Sequence, residues 1–88
     1  MTNVTIYTKY YCHFCTNAKA LLDRKGIAYH EIEVAHDPVL QAEMQERSGR
    51  RTVPQIFIGD HHVGGSDDLH ELERNGELDS LLNESVAA

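Results

Sequence analysis

No stretch of this chain approaches the roughly 20 consecutive apolar residues that a membrane-spanning helix needs. Met1-Thr2-Asn3 leads straight into Val4, without the basic and apolar regions of an export signal. The expectation is a protein neither exported nor anchored. Basic residues are also scarce: eight Lys and Arg stand against fourteen Asp and Glu, for a formal charge of −6. That balance argues against nucleic acid as a partner, because phosphate binding needs clustered cations. Cysteine is almost missing. The two present, Cys12 and Cys15, can close only one tiny loop and cannot staple distant parts of a fold. Beside a β-α-β pattern and without an export signal, such a pair reads as a redox couple or half of a metal site, and the expected compartment is the reducing cytoplasm. Repeats and low-complexity segments are absent, and 88 residues with 41% hydrophobic content suit one domain spanning 1–88, with no second core.

What is present is well punctuated. Val4 to Thr8 is β-branched and aromatic, the signature of a short buried strand, and Lys9 ends it. From Cys12 or His13 to Lys25, the residues Phe14, Ala18, Leu21 and Leu22 recur at helical spacing, and Arg24-Lys25-Gly26 marks a helix C-terminus. Tyr29 to Val34 alternates as a second strand, parallel to the first. Asp37-Pro38 supplies an N-cap with proline at the first helical position, Leu40 and Met44 give an apolar stripe, and Gly49 stops the helix. Gln55 to Ile58 and His61 to Gly64 flank Gly59-Asp60 as an antiparallel hairpin. Ser66 is read as an N-cap, with Asp67 and Asp68 in the first turn, Leu69 and Leu72 facing inward and Asn75-Gly76 closing the helix. A last short helix is expected over Leu78 to Leu82, then a frayed tail from Glu84 to Ala88. The order β-α-β-α-β-β-α predicts an α/β fold of thioredoxin-like arrangement, a four-stranded mixed sheet flanked by helices on both faces.

Cys12 falls where the first strand hands over to a helix, and Cys15 lies one turn further on the same side. Unpaired N–H groups and the positive end of the helix dipole stabilise a thiolate there, with cations available from Lys9 and His13. Cys12 is therefore the expected nucleophile. Cys15, deeper in the helix, is expected to stay protonated and to attack only after Cys12 has formed a mixed disulfide. If the Lys9 loop and the Arg50-Arg51 loop meet, they form a positive patch on an acidic protein. Zinc is the competing reading, since six histidines are available, but no second pair has the spacing of a zinc site. His61 and His62 are neighbours on a strand and point to opposite faces. His30, His36, His61, His62 and His70 are read as solvated surface residues, and no metal ligand is assigned.

Three motifs together resemble the glutaredoxin family from Val4 to Leu82: Cys12-His13-Phe14-Cys15 after Lys9, Arg51-Thr52-Val53-Pro54, and Gly64-Gly65-Ser66-Asp67-Asp68-Leu69. The likeness is to its dithiol class, and most closely to the bacterial glutaredoxin 3 branch. The resemblance implies that Pro54 is cis and faces the cysteines, although a plain turn proline would satisfy the local chemistry as well. It implies that Thr52 and Val53 belong to a glutathione site in which the Val53 backbone pairs with the cysteinyl part. It implies that Gly65, Ser66 and Asp67 hold the γ-glutamyl end at a helix N-terminus, where simple capping is the alternative role of Ser66. It also implies that Lys9 and Gln41 lie near the glycyl carboxylate and that Phe14 packs beside the ligand.

The family's usual Cys-Pro-Tyr-Cys is replaced here by His13 and Phe14 between the cysteines. The change removes the helix-start proline, adds a titratable ring and deletes a phenol. What the resemblance implies is glutathione-dependent thiol–disulfide exchange, with Cys12 as nucleophile and Cys15 as resolving thiol. The implied partners are glutathione and disulfide-bearing or glutathionylated proteins, ribonucleotide reductase among them. Two alternatives share the motifs. One is a thioredoxin-reductase-dependent electron donor. The other is a dimer bridged by a [2Fe-2S] cluster through Cys12 and glutathione, where otherwise a monomer is expected.

Overall fold

The computed structural model describes residues 3–87. β1 (Val4–Thr8) leads to α1 (His13–Arg24), then β2 (His30–Glu33), α2 (Pro38–Ser48), β3 (Gln55–Ile58), β4 (His61–Gly64), α3 (Ser66–Arg74) and α4 (Glu77–Ala87). The sheet order is β2-β1-β3-β4. β1 runs parallel to β2, with Tyr7 opposite Ile32, and antiparallel to β3, with Ile6 opposite Ile56. This is the mixed, thioredoxin-like sheet expected from the order of elements.

Alternation along the strands sorts the core into two layers. Val4, Ile6, Ile56 and Ile58 join Ala18, Leu21 and Leu22 of α1, Leu69 of α3 and Leu78 of α4 in one cluster. Tyr7, Phe57 and Val34 meet Met44 of α2 in the other, with Leu40 packed against it. A polar clasp reinforces the α2 layer. The Tyr7 hydroxyl donates to Glu43 at 2.8 Å and accepts from Arg47 at 2.7 Å, and the Arg47 guanidinium lies 4.2 Å from the centre of the Phe57 ring. Burial raises the Tyr7 pKa, with the Glu43 hydrogen bond adding to the effect. At the far end of α1, Lys25 bridges Glu73 of α3 at 2.9 Å and Asp79 of α4 at 3.1 Å.

The punctuation acts locally. Asp37 Oδ1 accepts from Val39 N–H at 3.1 Å and Leu40 N–H at 3.0 Å, and Gly49 ends α2 in the left-handed region at φ 72°. Three boundaries differ from expectation. The second strand is confined to His30–Glu33, an edge strand, although Val34 just beyond it is fully buried. Gly65, not Ser66, is the N-cap of α3; Ser66 is its first helical residue and is buried. Asp68, at the third helical position, reaches back to accept the Gly65 N–H at 2.9 Å, which fixes the turn at Gly65, and glycine leaves the helix start without a side-chain cap. Finally, α4 is longer than expected, running to Ala87, so helix replaces the frayed tail over 84–87, and Ala88 lies outside the described residues.

Candidate functional site

α1 begins where β1 ends, and its N-cap is Cys12. The Cys12 N–H donates to the Lys9 carbonyl at 3.1 Å, folding the loop so that the sulfur turns back over the helix start. There Cys12 Sγ accepts the Cys15 N–H at 3.3 Å, taking the place that a capping serine or aspartate oxygen would fill. Cys12 is half-buried and open to the solvent side, whereas Cys15 is 1% exposed; both are free thiols. Burial pushes the Cys15 thiol up to about 12, the Cys12 sulfur adds to the rise, and a Lys9 backbone group and the Lys19 charge oppose it. The two sulfurs thus divide as expected into an accessible one and a protonated, withdrawn one.

Across from Cys12 lies the Thr52-Val53-Pro54 loop. The Val53–Pro54 bond is cis, and the Val53 carbonyl oxygen is 3.6 Å from Cys12 Sγ. The Val53 N–H has no hydrogen-bond partner among the described residues, so the loop presents a free donor and a near-free acceptor. Thr52, Val53 and Pro54 form one lip of a groove of about 320 Å³; Gly65, Ser66 and Asp67 form the other, and Phe14 lies at its edge, 57% exposed. The second lip is the start of α3, whose first N–H groups have no intrahelical acceptor and face an anion well. Gly64 sets that turn. Its φ is +120°, and a Cβ there would collide with the Asp68 carboxylate.

Seven of the residues singled out from sequence as ligand contacts therefore line one groove: Phe14, Thr52, Val53, Pro54, Gly65, Ser66 and Asp67. Lys9 and Gln41 are not in its lining. Gln41 spends its amide on backbone, donating to the Val34 carbonyl at 2.7 Å and the Ala35 carbonyl at 3.3 Å. Two further residues line the groove, Arg50 and Asp68. They form an ion pair across it at 3.3 Å, and the Gly65 N–H, followed by Arg50, holds the Asp68 carboxyl below its usual range. The positive patch expected from Arg50 is thus partly neutralised. Arg50 stood beside the Thr-Val-Pro motif and Asp68 inside the glycine motif, which was the available signal for both.

The histidines are not uniformly solvated, which corrects the sequence reading. His30 and His61 are exposed, and His36 is exposed with its ring 5.6 Å from that of Tyr10. His70 Nδ1 is 2.8 Å from the Ser66 carbonyl, and His62 is half-buried against Phe57, because the hairpin lays its ring on the α2 face of the sheet. Among the described residues no three His, Cys, Asp or Glu side chains are grouped to hold a metal ion. No described helix is long and apolar enough to cross a membrane.

Residues 4–63 match the family model described as Glutaredoxin. The chain is 53% identical over 83 residues to a glutaredoxin of Pseudomonas aeruginosa, covering 94% of this chain and 99% of that one. It is 51% identical over 82 residues to glutaredoxin 3 of Escherichia coli K12, covering 93% and 99%. Among solved structures it resembles a buckwheat glutaredoxin–glutathione complex, with a TM-score of 0.86, 36% identity, and coverage of 98% of this chain and 81% of that one.

Proposed function

This chain belongs to the glutaredoxin family and is a thiol–disulfide oxidoreductase close to glutaredoxin 3; from that premise we propose that glutathione is its reductant and that Cys12 and Cys15 are nucleophile and resolving thiol. The observation that carries the proposal is the placement of Cys12 Sγ 3.6 Å from the carbonyl of Val53, a residue that lines a groove whose other lip is the N-terminus of α3. An extended tripeptide lying in that groove pairs its cysteinyl backbone with Val53 and aims its γ-glutamyl carboxylate at the Ser66 and Asp67 N–H groups. Its sulfur is then held beside Cys12, which is the proximity that exchange requires. The complex of the buckwheat relative with glutathione supports this reading. Lys9 is assigned to the glycyl end outside the groove proper, whereas the Gln41 amide is already committed to the Val34 and Ala35 carbonyls and is not assigned a ligand contact.

In the one-cysteine cycle the Cys12 thiolate attacks the glutathione sulfur of a mixed disulfide. The S–S bond breaks, the substrate protein leaves as a thiolate that takes a proton, and Cys12 carries glutathione. A second glutathione, as its thiolate, attacks that bond, leaving glutathione disulfide and the Cys12 thiolate. In the two-cysteine cycle Cys12 is first joined to a substrate protein. Cys15 then gives up its proton and attacks Cys12 Sγ, expelling the protein thiolate and forming a Cys12–Cys15 disulfide that two glutathiones reduce. The proposal extends to a cytoplasmic monomer acting on disulfide-bearing or glutathionylated proteins, ribonucleotide reductase among them. For a cluster-bridged dimer, Cys12 fits the one accessible thiolate per chain and Cys15 does not, and no step described runs through a cluster.

The test is glutathione-coupled reduction of a glutathionylated peptide. Cys12→Ser is expected to fall to the uncatalysed rate, while Cys15→Ser keeps this activity and loses reduction of protein disulfides. Turnover by Cys12→Ser would remove the role assignment. Turnover with thioredoxin reductase but not with glutathione would support the electron-donor alternative instead.

A further inference from the structure

Gln55 follows the cis proline and is completely buried. A primary amide in that setting is tolerated only if its polar atoms are satisfied. Its Nε2 donates backward across Val53-Pro54 to the Thr52 carbonyl at 3.0 Å and to Thr52 Oγ1 at 3.3 Å, so it spans the residues that form one lip of the groove. A carbonyl can only accept, which fixes which end of the amide is nitrogen. The oxygen end, Oε1, therefore faces His62 Nε2 at 2.7 Å, and His62 must be the donor through that nitrogen.

His62 is held for this role. It stands opposite Phe57 across the β3–β4 pair, and its ring stacks on the Phe57 ring with centroids 4.9 Å apart. Burial, then the neighbouring Arg50 charge, lowers its pKa, so the neutral ring is favoured. The Phe57 ring is itself packed by Arg47 from α2. A continuous line of contacts thus runs from α2 through Phe57, His62 and Gln55 to the Thr52 carbonyl.

We infer that His62 and Gln55 are positioning residues that hold the Thr52-Val53-Pro54 loop at the height where the Val53 backbone meets the substrate beside Cys12. Neither residue touches the groove. The inference rests on the proposal that this loop binds the glutathione part of a mixed disulfide. Its physical basis is preorganisation: a loop already fixed spends no binding free energy on being ordered. The Thr52 carbonyl is next to the Val53 N–H in the chain, so a shift of one displaces the other.

The decisive variant is His62→Phe, which keeps a ring on Phe57 but removes the donor to Gln55; His62→Gln restores an N–H of similar reach. At a temperature well below the melting point of each protein, KM for a glutathionylated peptide is expected to rise about tenfold in His62→Phe, with kcat within about twofold, and to return toward the parent in His62→Gln. Amide order parameters of free protein are expected to fall at Thr52 and Val53 in His62→Phe and not at Ile6 in the central strand. A parent-like KM together with parent-like order in His62→Phe overturns the inference, as does failure of His62→Gln to recover either. If the parent itself does not process mixed disulfides, the functional proposal fails, and the loop order of the variants alone decides the relay.

Discussion

The two ends of the first turn of α1 carry the same functional group in opposite settings. At one end Cys12 caps the helix, half-open, with its sulfur accepting a backbone N–H. One turn on, Cys15 is 1% exposed, and burial pushes its thiol up to about 12. Residue type does not separate the settings of these cysteines; depth along the helix does. The sulfur at the cap faces solvent, whereas ionising the inner thiol puts a charge into the core side of the sheet. In the proposed cycle the outer sulfur meets a disulfide from outside, and the inner one is held back until a bond has formed next to it.

Alkylation tests this asymmetry most strongly. At pH 7.5, iodoacetamide followed by mass spectrometry is expected to label Cys12 at least about 10²-fold faster than Cys15, with the gap collapsing in denaturant. Comparable native rates would break the comparison. Stability gives a smaller signal with a fixed sign. In the unfolded chain a thiol ionises near its ordinary value of about 9, while Cys15 in the fold holds its proton to about 12. The unfolded state releases its proton first, so the Cys15 contribution to stability is complete below about pH 9 and is lost as pH rises toward 12. Urea midpoints measured from pH 8 to 10.5 are expected to fall more steeply for the parent than for Cys15→Ala; parallel slopes would contradict the burial argument. The smallest effect concerns Lys19, whose charge opposes the rise at Cys15 while pairing with Glu31 at 3.0 Å. Lys19→Met is expected to slow reduction of protein disulfides about two- to threefold and to leave the one-cysteine cycle unchanged, as stopped-flow traces of the two reactions can show.

Much of this was legible in the sequence because the signals are local. A β-branched run marks β1, Asp37-Pro38 and Gly49 bracket α2, and a C-x-x-C at the start of a helix identifies the chemistry. Three motifs in order brought the family resemblance, and the groove gathers residues from all three. What escaped depends on partners brought in from elsewhere. Ser66 has the composition of a cap, but the Asp68 carboxylate had already satisfied the Gly65 N–H. His62 looks like any hairpin histidine until the fold lays it on Phe57 and against Gln55. Gln41 carries no sign in sequence that its amide is tied to the end of β2's connection. The length of α4 escaped for a different reason, since its terminal residues have little periodic pattern to read.

The Arg50–Asp68 pair spans the groove with both side chains about half exposed. An ion pair so placed is weakened by dissolved electrolyte, whose screening length is about 8 Å at physiological ionic strength. The separation of the two lips is thus set in part by the medium, not by packing alone. Added salt loosens the pair and frees the Arg50 guanidinium toward the groove, while also screening its pull on an anionic ligand. Substrate affinity is consequently expected to depend on ionic strength in part through this contact: Arg50→Gln, which removes the cation, flattens the dependence, whereas Asp68→Asn, which leaves the Arg50 charge unpaired, steepens it.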